Sequence, residues 1–145
     1  MTINGGFVTG QDVLSFTNAS MGNIAGSFSS GTMTLTSSGG AATKAQWEAA
    51  LRAVAYSNTS DAPSTAVRTV SYVINDGATD STAVTSTINV TAVNDAPVLA
   101  TGSTLAYTEN GAAVAINTAI TVSDLDNTTF KSATVTITNG YDSGK

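Results

Sequence analysis

The stretch "SDLDN" sets Asp124 and Asp126 two residues apart, with Asn127 beside them. Two carboxylates so close repel each other unless a cation sits between them. Hard oxygen donors of this kind suit Ca²⁺. The bland alternative is that both residues only cap a solvated turn, as Asp does wherever its carboxylate accepts nearby backbone N–H groups. "DLDN" is not an EF-hand loop, because the later Gly and the Glu at the twelfth position are missing.

The remaining chemistry is narrow. The chain has neither Cys nor His. That excludes disulfides, thiolate metal sites, thiol nucleophiles, His general bases and the Ser-His-Asp triad. Any metal must be a hard cation held by oxygen. There is no phosphate-binding P-loop and no Gly-x-Ser-x-Gly elbow. Ten carboxylates could supply an acid/base pair, but no spacing favours one, so no enzyme is expected. "GGFVTGQD" has the flavour of a calcium β-roll repeat, but occurs once where such rolls need many copies. Sequons such as those at Asn58 and Asn127 read as accidents of a Thr/Ser-rich composition.

Only 10% of the 145 residues are charged, with a net charge of -5. Such a surface does not attract nucleic acid or an acidic membrane. No apolar run approaches the roughly 20 residues of a membrane span, so no membrane insertion is expected. The N-terminus lacks the basic and apolar regions of a signal peptide. An export signal is therefore expected outside this stretch of chain.

The elements that must position these carboxylates read as short strands. Thr, Val, Ile and Ala dominate, cut by Gly, Asn, Asp and Ser clusters. "TMTLT" sets Met33 and Leu35 on one face, and "SATVTI" does the same with Ala133, Val135 and Ile137. "RTVSYVI", the turn "NDGATDS" and "TAVTSTINVTAV" predict an antiparallel hairpin over residues 68–93. One segment differs. In "TKAQWEAALRAVAY", Trp47, Leu51 and Val54 recur at helical spacing, and Thr43 and Gln46 stand as a capping box. A short helix is expected near residues 44–54, with Trp47 as a core plug and not a sugar platform. "VNDAPVLATGS" marks a boundary, since Pro97 cannot donate to a ladder.

The two ends of the chain echo each other. Thr2 aligns with Thr136, an offset of 136 − 2 = 134. At that offset Ile3 meets Ile137, Gly6 meets Gly140, Phe7 meets Tyr141 and Gly10 meets Gly144. Shared turn glycines and a shared aromatic are what a repeated strand and turn would need. The expectation is a tandem repeat of about 134 residues, cut inside a unit.

"YVINDGATDSTAVTSTINVTAVNDAPVLA" resembles the end of a cadherin-like, immunoglobulin-like repeat of large bacterial surface adhesins and biofilm proteins. "QWEAALRAVAYSNTS" is similar to the helix-to-strand passage of such repeats. The resemblance implies an all-β Greek-key β-sandwich with one short helix. It divides the chain into residues 1–93 as the last two thirds of one unit, 94–103 as linker and 104–145 as the first third of the next. Strands are then expected at 104–109, 112–123 and 132–138.

The same resemblance implies calcium at the junctions between repeats. Asn94 and Asp95 match its linker motif, Glu109 the acidic residue ending its first strand, and Asp76 the Asp of its final hairpin turn. One junction would combine Asp124, Asp126, Asn94 and Asp95 with an Asp76-type residue of the same sandwich. Glu109 would serve the next. Ala92 and Ala96 stand where animal linkers carry further oxygen ligands, and no Asp-Arg-Glu motif is present, so one or two ions per junction are implied. The implied function is a non-catalytic spacer of a secreted, extracellular adhesin or surface filament, whose partners are neighbouring copies of the repeat. Strands 104–138 could complete a neighbouring chain head to tail. The alternative is a carbohydrate-binding accessory module of an exported protein.

Overall fold

Alternating apolar and polar residues form the main sheet. In a computed structural model of the chain, which describes residues 1–143, this sheet has five antiparallel strands. They are β1 (Thr2–Gly5), β3 (Ile24–Ser29), β4 (Thr32–Ser37), β6 (Arg68–Tyr72) and β7 (Val84–Ile88), in the order β3-β4-β1-β6-β7. A second sheet pairs β2 (Asp12–Ser15) with β5 (Ala55–Asn58). The inward residues of the two sheets meet: Ile3 of β1, Leu14 of β2, Met33 of β4 and Val70 of β6 form one buried cluster. Burying each such side chain contributes roughly 1.5–3 kcal/mol. The fold is all-β and sandwich-like with one short helix, as the sequence led us to expect.

Local chemistry sets the register. β3 and β4 are joined by Ser30 and Gly31 alone, with φ of 46° and 79°. Two left-handed residues in a two-residue loop match the twist of the flanking strands. Gly31 also lies under the Phe7 ring, where an added Cβ would stand 3.3 Å from it. The hairpin expected over 68–93 forms, but its regular pairing covers only Arg68↔Ile88 to Tyr72↔Val84. Beyond Tyr72 it continues as an isolated bridge, Asn75↔Asp80, around the Asp76 turn. Val73 and Ile74, beyond the regular pairing, are exposed there.

Helix α1 (Lys44–Ala53) matches its sequence signals closely. The capping box is present: Gln46 N–H donates to Thr43 Oγ1 at 3.3 Å, and Thr43 N–H donates to Gln46 Oε1 at 2.8 Å. Ala50 is fully buried against Met21 and Ile24, with half-buried Trp47, Ala49 and Ala53 packed around them. Trp47 thus serves the core.

The chain divides into two compact units, residues 1–94 and 95–145. In the second, β8 (Val98–Ala100) pairs with β9 (Thr121–Ser123), Val98 opposite Ser123. β8 falls inside the stretch read as linker. The strands expected at 104–109 and 132–138 do not form, and that at 112–123 shrinks to its last three residues. Their apolar residues, among them Tyr107, Val114, Ile116, Val135 and Ile137, are exposed. Alternation prepares a face for burial, but a ladder also needs a partner strand to take its N–H and C=O groups.

Candidate functional site

The β8–β9 ladder brings Asp95 to the Asp124–Asp126 turn. Pairing Val98 with Ser123 makes the chain before Val98 face the chain after Ser123. Asp95 N–H accordingly donates to Asp126 Oδ2 at 3.2 Å. Asp124 Oδ1 accepts from the N–H groups of Asp126 and Asn127 at 3.0 and 2.8 Å, which closes the turn. Asn127 Nδ2 donates to Asp126 Oδ1 at 2.8 Å. The two carboxyls lie close enough to perturb each other's ionisation. The neighbouring carboxyl lifts the Asp126 pKa and holds that of Asp124 low, with the turn N–H groups adding to the depression of Asp124. Two neighbouring carboxyls that push each other's ionisation apart are an arrangement a cation can relieve.

Within the second unit, Glu109 lies apart from this turn. Glu109 sits at the tip of the 101–120 excursion, beside the turn closed by Gly111 N–H to Thr108 C=O. Its flanks are tied by Thr101 Oγ1 to Ala119 C=O and Ser103 Oγ to Ile116 C=O. Glu109 is therefore at the opposite end of that excursion from Asp124 and Asp126. Asn94 closes the first unit and Asp95 opens the second. In the first unit, Asp76 Oδ1 accepts from Ala78 and Thr79 N–H at 2.9 Å each, and these bonds hold its pKa low. It is a turn-forming carboxylate. Among the described residues, no three acidic side chains cluster closely enough to hold a metal ion.

A second constellation, absent from the sequence reading, occupies the first unit. Asp12 and Arg68 are both buried, at 1% and 0% exposure. Asp12 opens β2, and Arg68 opens β6 in the other sheet. Arg68 Nε donates to both Asp12 oxygens, at 3.3 and 3.2 Å. Asp12 Oδ1 also accepts from Tyr56 Oη at 2.5 Å and Asn58 Nδ2 at 2.7 Å, and Oδ2 from Val8 N–H at 2.7 Å. Arg68 Nη1 donates to Ser64 and Ala66 carbonyls. Burial pushes the Asp12 pKa up, but the bonds from Tyr56, Val8, Arg68 and Asn58 outweigh it and lower it to about 2. With both oxygens taken, this carboxylate has no place for a metal or a substrate. It clamps the two sheets. The sequence signal was phase: Arg68 falls in step with Val70 and Tyr72, and Asp12 with Leu14, so alternation points both charges inward.

An open groove of about 1100 Å³ crosses the first unit, lined among others by Met33, Leu35, Trp47, Leu51, Val73 and Ile74. Comparison with known proteins adds no relative: no family model, curated protein or solved structure matches the chain. No helix among the described residues is long and apolar enough to cross a membrane.

Proposed function

We propose that the chain is part of a non-catalytic structural repeat of a secreted bacterial adhesin or extracellular surface filament. Stacked units extend the chain, and a calcium ion at the Asp124–Asp126 turn stiffens it. The observation that supports this reading is the geometry of the Asp124–Asp126 turn: Asp124 Oδ1 closes it, and the Asp95 N–H, directly after the first unit ends, donates to Asp126 Oδ2. A hard cation there would take carboxylate oxygens as ligands. Backbone carbonyls and water would complete its shell. The test is thermal melting with calcium and with chelator, on the chain and on Asp124→Asn/Asp126→Asn. A calcium-dependent rise in Tm that the double variant loses is expected. Equal melting with calcium and chelator overturns the cation.

The groove bordered by Trp47 favours a second reading, a carbohydrate-binding module. Glycan-array binding that Trp47→Ala abolishes, in protein whose helix remains folded, would move the assignment there.

A further inference from the structure

We propose that residues 135–141 are a second copy of β1, and that their seat is the slot between β4 and β6 of another copy of this chain. The pairing deepens the repeat reading and rests on the repeat, not on the cation. β1 is the middle strand of the main sheet. Thr2 pairs with Thr32 on one side and Ser71 on the other, and Ile3 is 4% exposed among Leu14, Met33 and Val70. The segment that repeats these residues, Thr136 and Ile137, has no strand partner among the described residues. Ile137 is 67% exposed and Val135 87%.

The likeness extends from sequence to backbone. Gly6, which ends the β1 passage, has φ of +67°, and Gly140 has +71°. Both glycines therefore take the same left-handed backbone conformation. In the first unit, a Cβ at position 6 would lie 2.5 Å from the Val67 carbonyl oxygen, so the seat itself demands glycine. Around Gly140 nothing lies within 4 Å. Its glycine satisfies a packing demand that exists in the β4–β6 slot and not where it lies now. The substitutions also fit. Asn139 would replace Gly5, where a Cβ would meet Thr69 Oγ1 at 3.4 Å, an ordinary contact. Thr138 would replace the exposed Asn4, and Tyr141 the half-buried Phe7. Gly144, the last match in the echo, lies outside the described residues.

A strand from one copy seated in the next is a head-to-tail contact, which propagates as an open filament unless it closes. The resident β1 competes from the same chain, at an effective concentration of order millimolar. Exchange should therefore grow with protein concentration and with any weakening of the resident strand.

The absence of cysteine makes the pairing testable by disulfide trapping. Thr2 Oγ1 and Thr32 Oγ1 stand 3.2 Å apart, so a Thr2→Cys/Thr32→Cys chain should close an internal bond and calibrate the geometry. A Thr136→Cys donor mixed with a Thr32→Cys acceptor in oxidised glutathione should give a mixed dimer. A Thr104→Cys donor, out of register, gives the background. Ile3→Ala in the acceptor should raise the yield several-fold, with circular dichroism showing that the sheet persists. Ile137→Lys in the donor should lower it by about tenfold or more, since the slot would bury an unpaired ammonium. Equal yields from the two donors overturn the proposal. So does an internal bond in Thr32→Cys/Thr136→Cys at every dilution with no mixed dimer. Trapping that persists in chelator, beside melting that ignores calcium, would sink the cation and leave the strand exchange standing.

Discussion

Ile3 and Ile137 stand in nearly the same words and meet opposite fates. In the first unit, "MTINGGF" lies between β4 and β6, and its isoleucine is buried. In the second, "VTITNGY" has no ladder and its isoleucine faces solvent. The acids divide in the same way. Asp12 is enclosed by donors from two strands and a turn, while Asp124 and Asp126 sit half-buried in a turn of their own making. Alternation thus confers competence to form a strand. Burial is conferred by whatever lies on either side. The same residue types are structural in one unit and available in the other.

The largest effect is expected where the first unit hides its charge. Arg68→Ala leaves the Asp12 carboxylate buried without its cation, which costs about 3–5 kcal/mol. Urea unfolding should show this as a drop in midpoint. Arg68→Met with Asp12→Asn should recover much of it, because removing both charges costs far less than removing one. In the second unit, Asp126→Asn should leave the midpoint where it was. If Arg68→Ala moves it no further than Asp126→Asn does, the contrast between clamped and open carboxylates is wrong.

The two isoleucines give the next comparison. Ile3→Ala opens a cavity among Leu14, Met33 and Val70 and should cost roughly 2–5 kcal/mol. Ile137→Ala should stay within about 0.5 kcal/mol at dilutions where chains do not meet. At high concentration the same variant should reduce self-association seen by light scattering. The pair therefore separates a side chain that holds its own unit from one that waits for another.

Much of the first unit was legible in its sequence. The period-2 pattern of "TMTLT" and "RTVSY", the helical spacing of Trp47 and Leu51, and the Thr43–Gln46 box all act within one segment, so local chemistry suffices. The Asp12–Arg68 clamp was written in the same alternation, but a charge in phase with apolar residues reads as noise until its partner is seen 56 residues away. Strands 104–109 and 132–138 failed for the complementary reason. Their pattern is sound, yet strand formation depends on neighbours that no local pattern can supply. The Asp124–Asp126 turn was legible as a turn and as an acidic pair. What brought Asp95 to it was the three-residue β8–β9 ladder, too short to stand out from the linker around it.

Acid offers a gentler way to break the clamp. Asp12 has its folded pKa lowered to about 2 from an ordinary value near 3.8. The native state therefore binds fewer protons than the unfolded chain in that interval. The stabilisation is fully present above the unfolded value and is lost as pH falls from about 4 through 2. Its size is about 2 kcal/mol. Unfolding midpoints measured across that window should fall for the chain, and much less steeply for Asp12→Asn/Arg68→Met. A parallel fall in both would assign the acid sensitivity to the exposed carboxylates instead.

The smallest effect belongs to the open pair, and it is read by titration. Each carboxyl acts on its neighbour, raising Asp126 and lowering Asp124, so carboxyl NMR should show Asp124 ionising first and Asp126 above the ordinary range. Asp126→Asn should bring Asp124 back upward. It should still titrate below the usual value, because the N–H groups of residues 126 and 127 continue to bond its Oδ1. Calcium sharpens the comparison. A cation at the turn favours the charged form of both groups, so Asp126 should fall through the ordinary value and the gap between the two should narrow. Asp12, enclosed by its own donors, should not respond. If calcium leaves Asp126 raised, the proton is the only occupant of the pair, and the turn is a cap and not a cation site.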